Sequence, residues 1–149
     1  YTRVSDDRYV MAIAKDNPLT RKAYSKPGFA HLFLDPALAA EQQFILAHPQ
    51  QRVRQISDRI LRHAGIVPKI RLETSSIQSA LCFASNDLGI TFAPESYIPL
   101  FNAQKELAYF YLEDKYEAFW TFCVAYPQNV TPSTPARFFL QETQRLFGR

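Results

Sequence analysis

Polar side chains follow three predicted strands directly, and their types suit the binding of a small anion. Each group opens a predicted helix, where backbone N–H groups without intrahelical partners point outward and favour negative charge. Hydroxyls, an imidazole, side-chain amides and a guanidinium add further hydrogen-bond donors. The candidate ligand-binding residues are His48, Pro49, Gln50, Arg52, Thr74, Ser75, Ser76 and Pro94.

Each of these candidates also has a purely structural interpretation. Ser75 and Ser76 are good caps for the helix that follows them, whether or not they contact a ligand. Arg52 lies in the first turn of a helix, where a cation is unfavourable, and this mildly favours a functional role. A solvated helix arginine is nevertheless the more ordinary interpretation. His48 can be a structural histidine, and Pro94 can simply mark a helix start. The sequence leaves both interpretations open.

The elements that must position these residues follow from the spacing of apolar side chains. In the predicted helix at residues 51–64, Val53, Ile56, Ile60 and Leu61 form one stripe, and Gly65 ends it. Alternation of such helices with short apolar strands predicts a mainly parallel sheet covered by helices. The predicted strands are residues 9–14, 29–34, 44–47, 69–73, 90–93, 107–112 and 119–126. The predicted helices are residues 36–41, 51–64, 77–86, 94–98 and a final one from about residue 134.

Several classes of function find little support in the composition and motifs. The net charge of +3 is too small to indicate nucleic-acid binding. There is no G-x-S-x-G, H-E-x-x-H or C-x-x-C motif, and the three histidines lack ligand spacing, so we predict no enzymatic activity, no catalytic residue, no metal site and no cofactor. Cys82 and Cys123 lie among apolar residues, which predicts reduced core cysteines. No apolar run is long enough to cross a bilayer, so we expect a cytoplasmic protein without membrane contact.

Three stretches of the sequence resemble one family. The segment Glu73–Ser96, ETSSIQSALCFASNDLGITFAPES, joins a strand, a serine-capped helix and a G-I-x-x-x-P-E-S motif. Residues 11–19 read MAIAKDNPL, a strand followed by a charged residue, Asn and Pro-Leu, and residues 44–73 add a strand, a long helix and another strand. In combination they closely resemble the effector-binding domain of LysR-type transcriptional regulators. The resemblance covers roughly residues 8 to 148.

The resemblance implies an α/β fold of the periplasmic-binding-protein-like type 2 class, with two lobes built on mainly parallel sheets. Residues 12–105 would form the second lobe. Residues 1–11 and 106–149 would supply the hinge strands and the remaining part of an incomplete first lobe, truncated at its N-terminus. The N-terminal winged helix-turn-helix of the family would be absent from this chain.

The resemblance also implies a function. The chain would be an effector-sensing regulatory domain that binds a small anionic or polar metabolite and signals through rearrangement of a homo-oligomer. DNA would be contacted only through the N-terminal domain that this chain lacks. The alternative is a solute-binding protein of a transport system with the same fold. The identity of the effector and the target genes stay open.

Overall fold

The structure is a computed structural model that describes residues 1–101 and 106–148. The chain divides into two compact units, one formed by Tyr1–Asp7 with Phe119–Arg149 and the other by Arg8–Ala118. The strands are β1 (Thr2–Ala14), β2 (Gln43–Ala47), β3 (Lys69–Thr74), β4 (Thr91–Pro94), β5 (Leu107–Tyr111) and β6 (Phe119–Val124). The α-helices are α1 (Arg52–His63), α2 (Ile77–Ser85) and α3 (Thr134–Phe147), and short 3-10 helices span Pro18–Lys22, Pro36–Ala39, Glu95–Phe101 and Asp114–Tyr116.

The sheets of the larger unit are mixed. The second half of β1 pairs antiparallel with β4 on one side and with β5 on the other. β2 pairs with β3 in parallel, with Ala47 opposite Thr74, and a parallel bridge joins Phe44 to Ile90 just before β4. The parallel arrangement that the sequence predicts therefore holds around the two helix-starting loops, and not along β1, because β4 and β5 return beside β1 in the opposite direction.

The core of the larger unit lies around β1 and the helix α2. Residues 10–13 of β1 are fully buried, as expected for a strand with neighbours on both edges and helices or loops over its faces. Ala80, Leu81 and Ala84 of α2 pack with Ile45 of β2 and with Ala93 of β4. The apolar stripe predicted on α1 is also buried, at Ile56, Ile60 and Leu61. These contacts hold the N-termini of both helices beside the ends of β2 and β3.

Local signals place most element boundaries within a few residues of the prediction. The caps explain this agreement: Ser76 caps α2, Ser133 caps α3, and Asp35 accepts a hydrogen bond from Ala37 N at 3.0 Å at the start of a 3-10 helix. Gly65 ends α1 with φ +70°, while the N–H of Ile66 bonds the Leu61 carbonyl at 2.9 Å.

Two segments differ from the prediction. Residues 29–34 do not form a strand: Phe33 alone makes isolated bridges, to Tyr24 and Tyr111, because the rings of this loop pack on one another and Phe29 meets Phe33 edge to face at 4.9 Å. β1 begins at Thr2, seven residues before the predicted start. Its polar opening belongs to the smaller unit, where it pairs with β6 and Asp6 accepts from the Thr121 hydroxyl at 2.8 Å.

The prediction of core cysteines is wrong. Cys82 and Cys123 are free thiols, as expected, but both are exposed. Cys82 lies on the side of α2 opposite Ala80, Leu81 and Ala84, and β6 is mostly exposed along its length. Within the described residues, no helix is both long and apolar enough to cross a membrane.

Candidate functional site

An open pocket lies in the larger unit where β2 and β3 end and α1 and α2 begin, beside the first residues of β4. It contains about 300 Å³ of empty space, part of it continuous with solvent. Its position matches the edge at which open α/β folds bind ligands, beyond the carboxyl ends of parallel strands. The pocket is lined by Ala47, Gln51, Val53, Ser57, Thr74, Ser75, Ser76, Ile77, Ala80, Thr91 and Phe92.

Two hydroxyls of the pocket are held by the backbone at the start of α2. Thr74 Oγ1 accepts from the N–H of Ser76 at 3.2 Å, and Ser76 Oγ accepts from the N–H of Ser79 at 3.2 Å. Each oxygen is thereby oriented, and each hydroxyl keeps its proton to donate to another group. Three of the predicted site residues, Thr74, Ser75 and Ser76, therefore come together in one pocket.

Gln51 is a pocket residue that the sequence reasoning passed over in favour of its neighbours. Its Oε1 accepts from the N–H of His48 at 3.1 Å, and its Nε2 donates to the carbonyl of Ser75 at 3.0 Å. Gln51 is the N-cap residue of α1 but makes no cap bond to its own helix. The cap position was the available signal, because a polar side chain there can reach back across the preceding loop.

The other five predicted residues lie outside the lining of the pocket. His48, Pro49 and Gln50 are exposed in the loop between β2 and α1. Arg52 is also exposed, and it donates to a glutamine one turn further along α1 at 3.1 Å. Pro94 is buried at the end of β4. Their contact with an effector stays a prediction.

Arg54 is the cation that the fold holds closest to the ends of β2 and β3. Its guanidinium donates to the carbonyl of Ala47 at 2.8 Å, to Glu73 at 2.6 Å and to Asp58 at 2.9 Å, and its side chain is only 11% exposed. Burial works against this charge, but the hydrogen bonds that Arg54 donates to Glu73 and Asp58 raise its pKa. Arg54 therefore ties the end of β2 to β3, with its charge balanced by two carboxylates.

The lining side chains of the pocket are uncharged, so its preference comes from dipoles and hydrogen-bond donors. The N-termini of α1 and α2 both face this region and favour negative charge. Val53, Ile77, Ala80 and Phe92 supply an apolar wall. Among the described residues, no group of three or more His, Cys, Asp or Glu side chains is placed to hold a metal ion. The arrangement suits a small ligand with a hydrogen-bond-accepting head and an apolar body.

The fold and the pocket define the chain as an α/β ligand-binding domain. A protein-family model described as the LysR substrate binding domain matches residues 1–148, so the chain belongs to that family. The resemblance found in the sequence is thus confirmed. Domains of this family are regulatory effector-binding domains and not enzymes, as the sequence predicted.

Three solved structures illustrate the fold. The regulatory domain of CcmR from Synechocystis, in complex with 2-PG, has a TM-score of 0.76 and 16% identity, over 98% of this chain and 65% of that one. The effector-binding domain of QuiR with shikimate has a TM-score of 0.73 and 18% identity, over 98% and 64%. The effector-binding domain of BenM with benzoate has a TM-score of 0.71 and 23% identity, over 97% and 61%.

These similarities confirm the periplasmic-binding-protein-like α/β fold. The chain spans less than two-thirds of the length of each of these three structures. The comparison with curated proteins gave no match.

Proposed function

We propose that this chain is the effector-sensing part of a LysR-type transcriptional regulator and that its pocket binds a small carboxylate or a similarly polar anion. The observation that supports this most directly is the meeting of two helix N-termini at the ends of β2 and β3, with the Thr74 and Ser76 hydroxyls between them. Unpaired N–H groups and oriented hydroxyls together favour a ligand that accepts hydrogen bonds.

The chemical class of the ligand follows from what lines the pocket. The donors are the hydroxyls of Thr74 and Ser76 and the amide of Gln51, while Val53 and Phe92 are apolar. A ligand with a carboxylate at one end and a compact apolar or hydroxylated body matches both the hydrogen-bond donors and the apolar side chains of the pocket. The small molecules named in three similar structures, shikimate, 2-PG and benzoate, are consistent with a ligand of this size.

The exposed candidates form the rim in this proposal. His48, Pro49, Gln50 and Arg52 lie in or beside the loop that opens α1, where their side chains can extend contacts to a ligand held by Thr74, Ser75 and Ser76. Pro94 contributes only the shape of the end of β4, since it is buried. The guanidinium of Arg52 at the rim would attract an anion before it enters the pocket.

The remaining parts of the proposal concern the whole protein. Residues 12–105 would be the second lobe, and residues 1–11 and 106–149 would belong to the hinge strands and the first lobe. Effector binding would change the arrangement of a homo-oligomer, and DNA would be bound by an N-terminal domain that is not part of this sequence. Since a transcription regulator acts where the DNA lies, the proposal places it in the cytoplasm.

Two-dimensional NMR of the labelled chain with benzoate and shikimate as probes tests the pocket. The expected result is a set of amide shift changes centred on Gln51, Thr74 and Ser76. Thr74→Val keeps the shape but removes the hydroxyl, so the dissociation constant should rise about fivefold, the effect of one hydrogen bond. Ser85→Ala, at the far end of α2, is the matched control. Shift changes that map elsewhere, or an unchanged affinity in Thr74→Val, would reject the site.

A further inference from the structure

We propose that Gln51 is a positioning residue that ties together the two loops of the pocket and thereby sets the width of ligand it admits; this inference rests on the proposed function. The loops leave neighbouring parallel strands, because Ala47 at the end of β2 lies opposite Thr74 at the end of β3. The Gln51 side chain spans them, accepting from His48 N at 3.1 Å on its own loop and donating to the Ser75 carbonyl at 3.0 Å on the other.

Other bonds hold together the strand ends from which the two loops leave. Arg54 joins the Ala47 carbonyl at the end of β2 to Glu73 in β3, so the strand ends cannot separate easily. The two loops are short, only four residues between β2 and α1 and two between β3 and α2, as the ranges of these elements give. What remains adjustable is the separation of the two loops, which the Gln51 amide spans.

Gln51 also keeps hydrogen-bonding capacity for a ligand. A side-chain amide has two donor hydrogens and two acceptor lone pairs, of which this bridge uses one each. The second Nε2 hydrogen can therefore meet an anionic head in the pocket without breaking the contact to Ser75. Gln51 would hold the two loops together and also bind the ligand, so its replacement should change ligand selectivity as well as affinity.

The first experiment needs no ligand. Amide hydrogen exchange at His48, followed by NMR, reads the acceptor half of the bridge. Gln51→Ala removes the acceptor, and the His48 amide should exchange about fivefold faster, the effect of one hydrogen bond. Gln51→Glu keeps an acceptor oxygen and should leave this rate close to that of the wild type. The matched control is Gln55→Ala, on an exposed side chain of α1 that bonds to Arg52. An unchanged His48 rate in Gln51→Ala overturns the proposal.

The second experiment uses two flat carboxylates of different width, benzoate and 2-naphthoate, in calorimetric titrations. Gln51→Ala should raise the affinity for 2-naphthoate relative to benzoate about tenfold. A pocket that excludes a wider ligand by its shape discriminates between two ligands by about this factor. Gln51→Glu should weaken both probes, since it replaces a donor by a negative charge. The wild-type ratio in Gln51→Ala would overturn the selectivity role. A wild-type chain that binds neither probe would count against the proposed function, while the His48 exchange rate would still decide the role of Gln51.

Discussion

Single residues of the pocket combine capping with ligand chemistry. The Ser76 side chain caps α2 through Ser79 N, and the Thr74 hydroxyl holds the N–H of Ser76, so both oxygens are fixed before any ligand arrives. An oriented donor loses less conformational entropy on binding than a mobile one. The same contacts make the two roles hard to separate by sequence, because both need a small hydroxyl at the same position.

The two roles separate when stability and affinity are measured together. Ser76→Ala should lower the free energy of unfolding by about 1 kcal/mol, the usual cost of losing an N-cap. Ser75→Ala should change it by less than about 0.5 kcal/mol, since the exposed Ser75 side chain is not the cap of α2. Urea unfolding of the two variants provides the comparison. Equal losses of stability in both would contradict the capping assignment.

Three tyrosines of the larger unit donate to carboxylates, each at 2.5 Å: Tyr24 to Glu113, Tyr111 to Glu95 and Tyr116 to Asp35. Burial and the bond to Glu95 raise the pKa of Tyr111 to about 12, and the bond to Glu113 together with burial raises that of Tyr24 to about 12. A tyrosine whose pKa is higher in the folded chain holds its proton more tightly there. Its stabilising contribution is complete below about pH 10 and disappears as the pH rises towards 12.

Stability measured against pH tests these pairs. The urea midpoint of the wild type should fall between about pH 10 and 12, and Tyr111→Phe should reduce the steepness of that fall without abolishing it, because Tyr24 titrates in the same range. Glu95→Gln removes the carboxylate partner and should reduce the steepness in the same direction. Identical pH profiles for the wild type and both variants would rule out a contribution from the pair of Tyr111 and Glu95.

At the scale of elements, the close approach of β2 to the turn before β4 depends on one glycine. A Cβ at Gly89 would lie 2.9 Å from the carbonyl oxygen of Gln43, which itself accepts from the N–H of Ile90 at 2.8 Å. That contact holds the start of β4 against β2, and β4 supplies Thr91 and Phe92 to the pocket. Glycine is needed here because a Cβ would not fit against Gln43, and also because the backbone has φ +156°, a conformation that favours glycine.

Two alanine substitutions distinguish the steric cost of an added Cβ from the cost of the backbone conformation. Gly89→Ala should lower the free energy of unfolding by about 3 kcal/mol, since crowding against a backbone carbonyl cannot be relieved by a rotamer change. Gly65→Ala, where φ is +70° and no atom lies within 4 Å of the added Cβ, should cost only the backbone term of roughly 1 to 2 kcal/mol. Thermal and urea unfolding measure both. A loss in Gly89→Ala no larger than that in Gly65→Ala would contradict the crowding argument.

At the scale of the whole molecule, the smaller unit leaves much of its apolar surface in solvent. Ala136, Phe139, Leu140 and Thr143 share one side of α3, and of these Thr143 alone is buried. Phe139 is 62% exposed, and the other large apolar side chains of α3 that are exposed are Phe138, Leu146 and Phe147. Exposed apolar surface on this scale favours association with another surface.

We therefore expect the chain to associate with itself, which sedimentation over a range of concentrations measures. The sedimentation coefficient should rise with concentration up to tens of micromolar. Phe139→Lys should raise the apparent dissociation constant about tenfold, the effect of losing part of one buried aromatic side chain. Val67→Lys is the control, because Val67 is 89% exposed in the other unit. A monomer at every concentration, or an equal effect of both variants, would contradict this expectation.

The features that depend on neighbours along the chain could be predicted from the residue pattern. Apolar spacing located α1, and the hydroxyl and glycine positions located its end and the start of α2. The family followed from the same local patterns, and so did the placement of Thr74, Ser75 and Ser76 at a pocket. Caps and periodicity act over three to four residues, so they can be read without knowing the fold.

Which groups face one another across different elements depends on the assembled fold. The antiparallel partners of β1, the Gln51 contact to Ser75 and the Arg54 contact to Glu73 join residues from different elements. Gln51 and Arg52 show how sharply this matters, because Gln51 precedes α1 with extended backbone and reaches back across the loop to Ser75, whereas Arg52 is the first residue of the helix. One therefore lines the pocket while the other faces solvent. Sequence spacing specifies the faces of an element, but what each face meets depends on how the strands and helices are assembled.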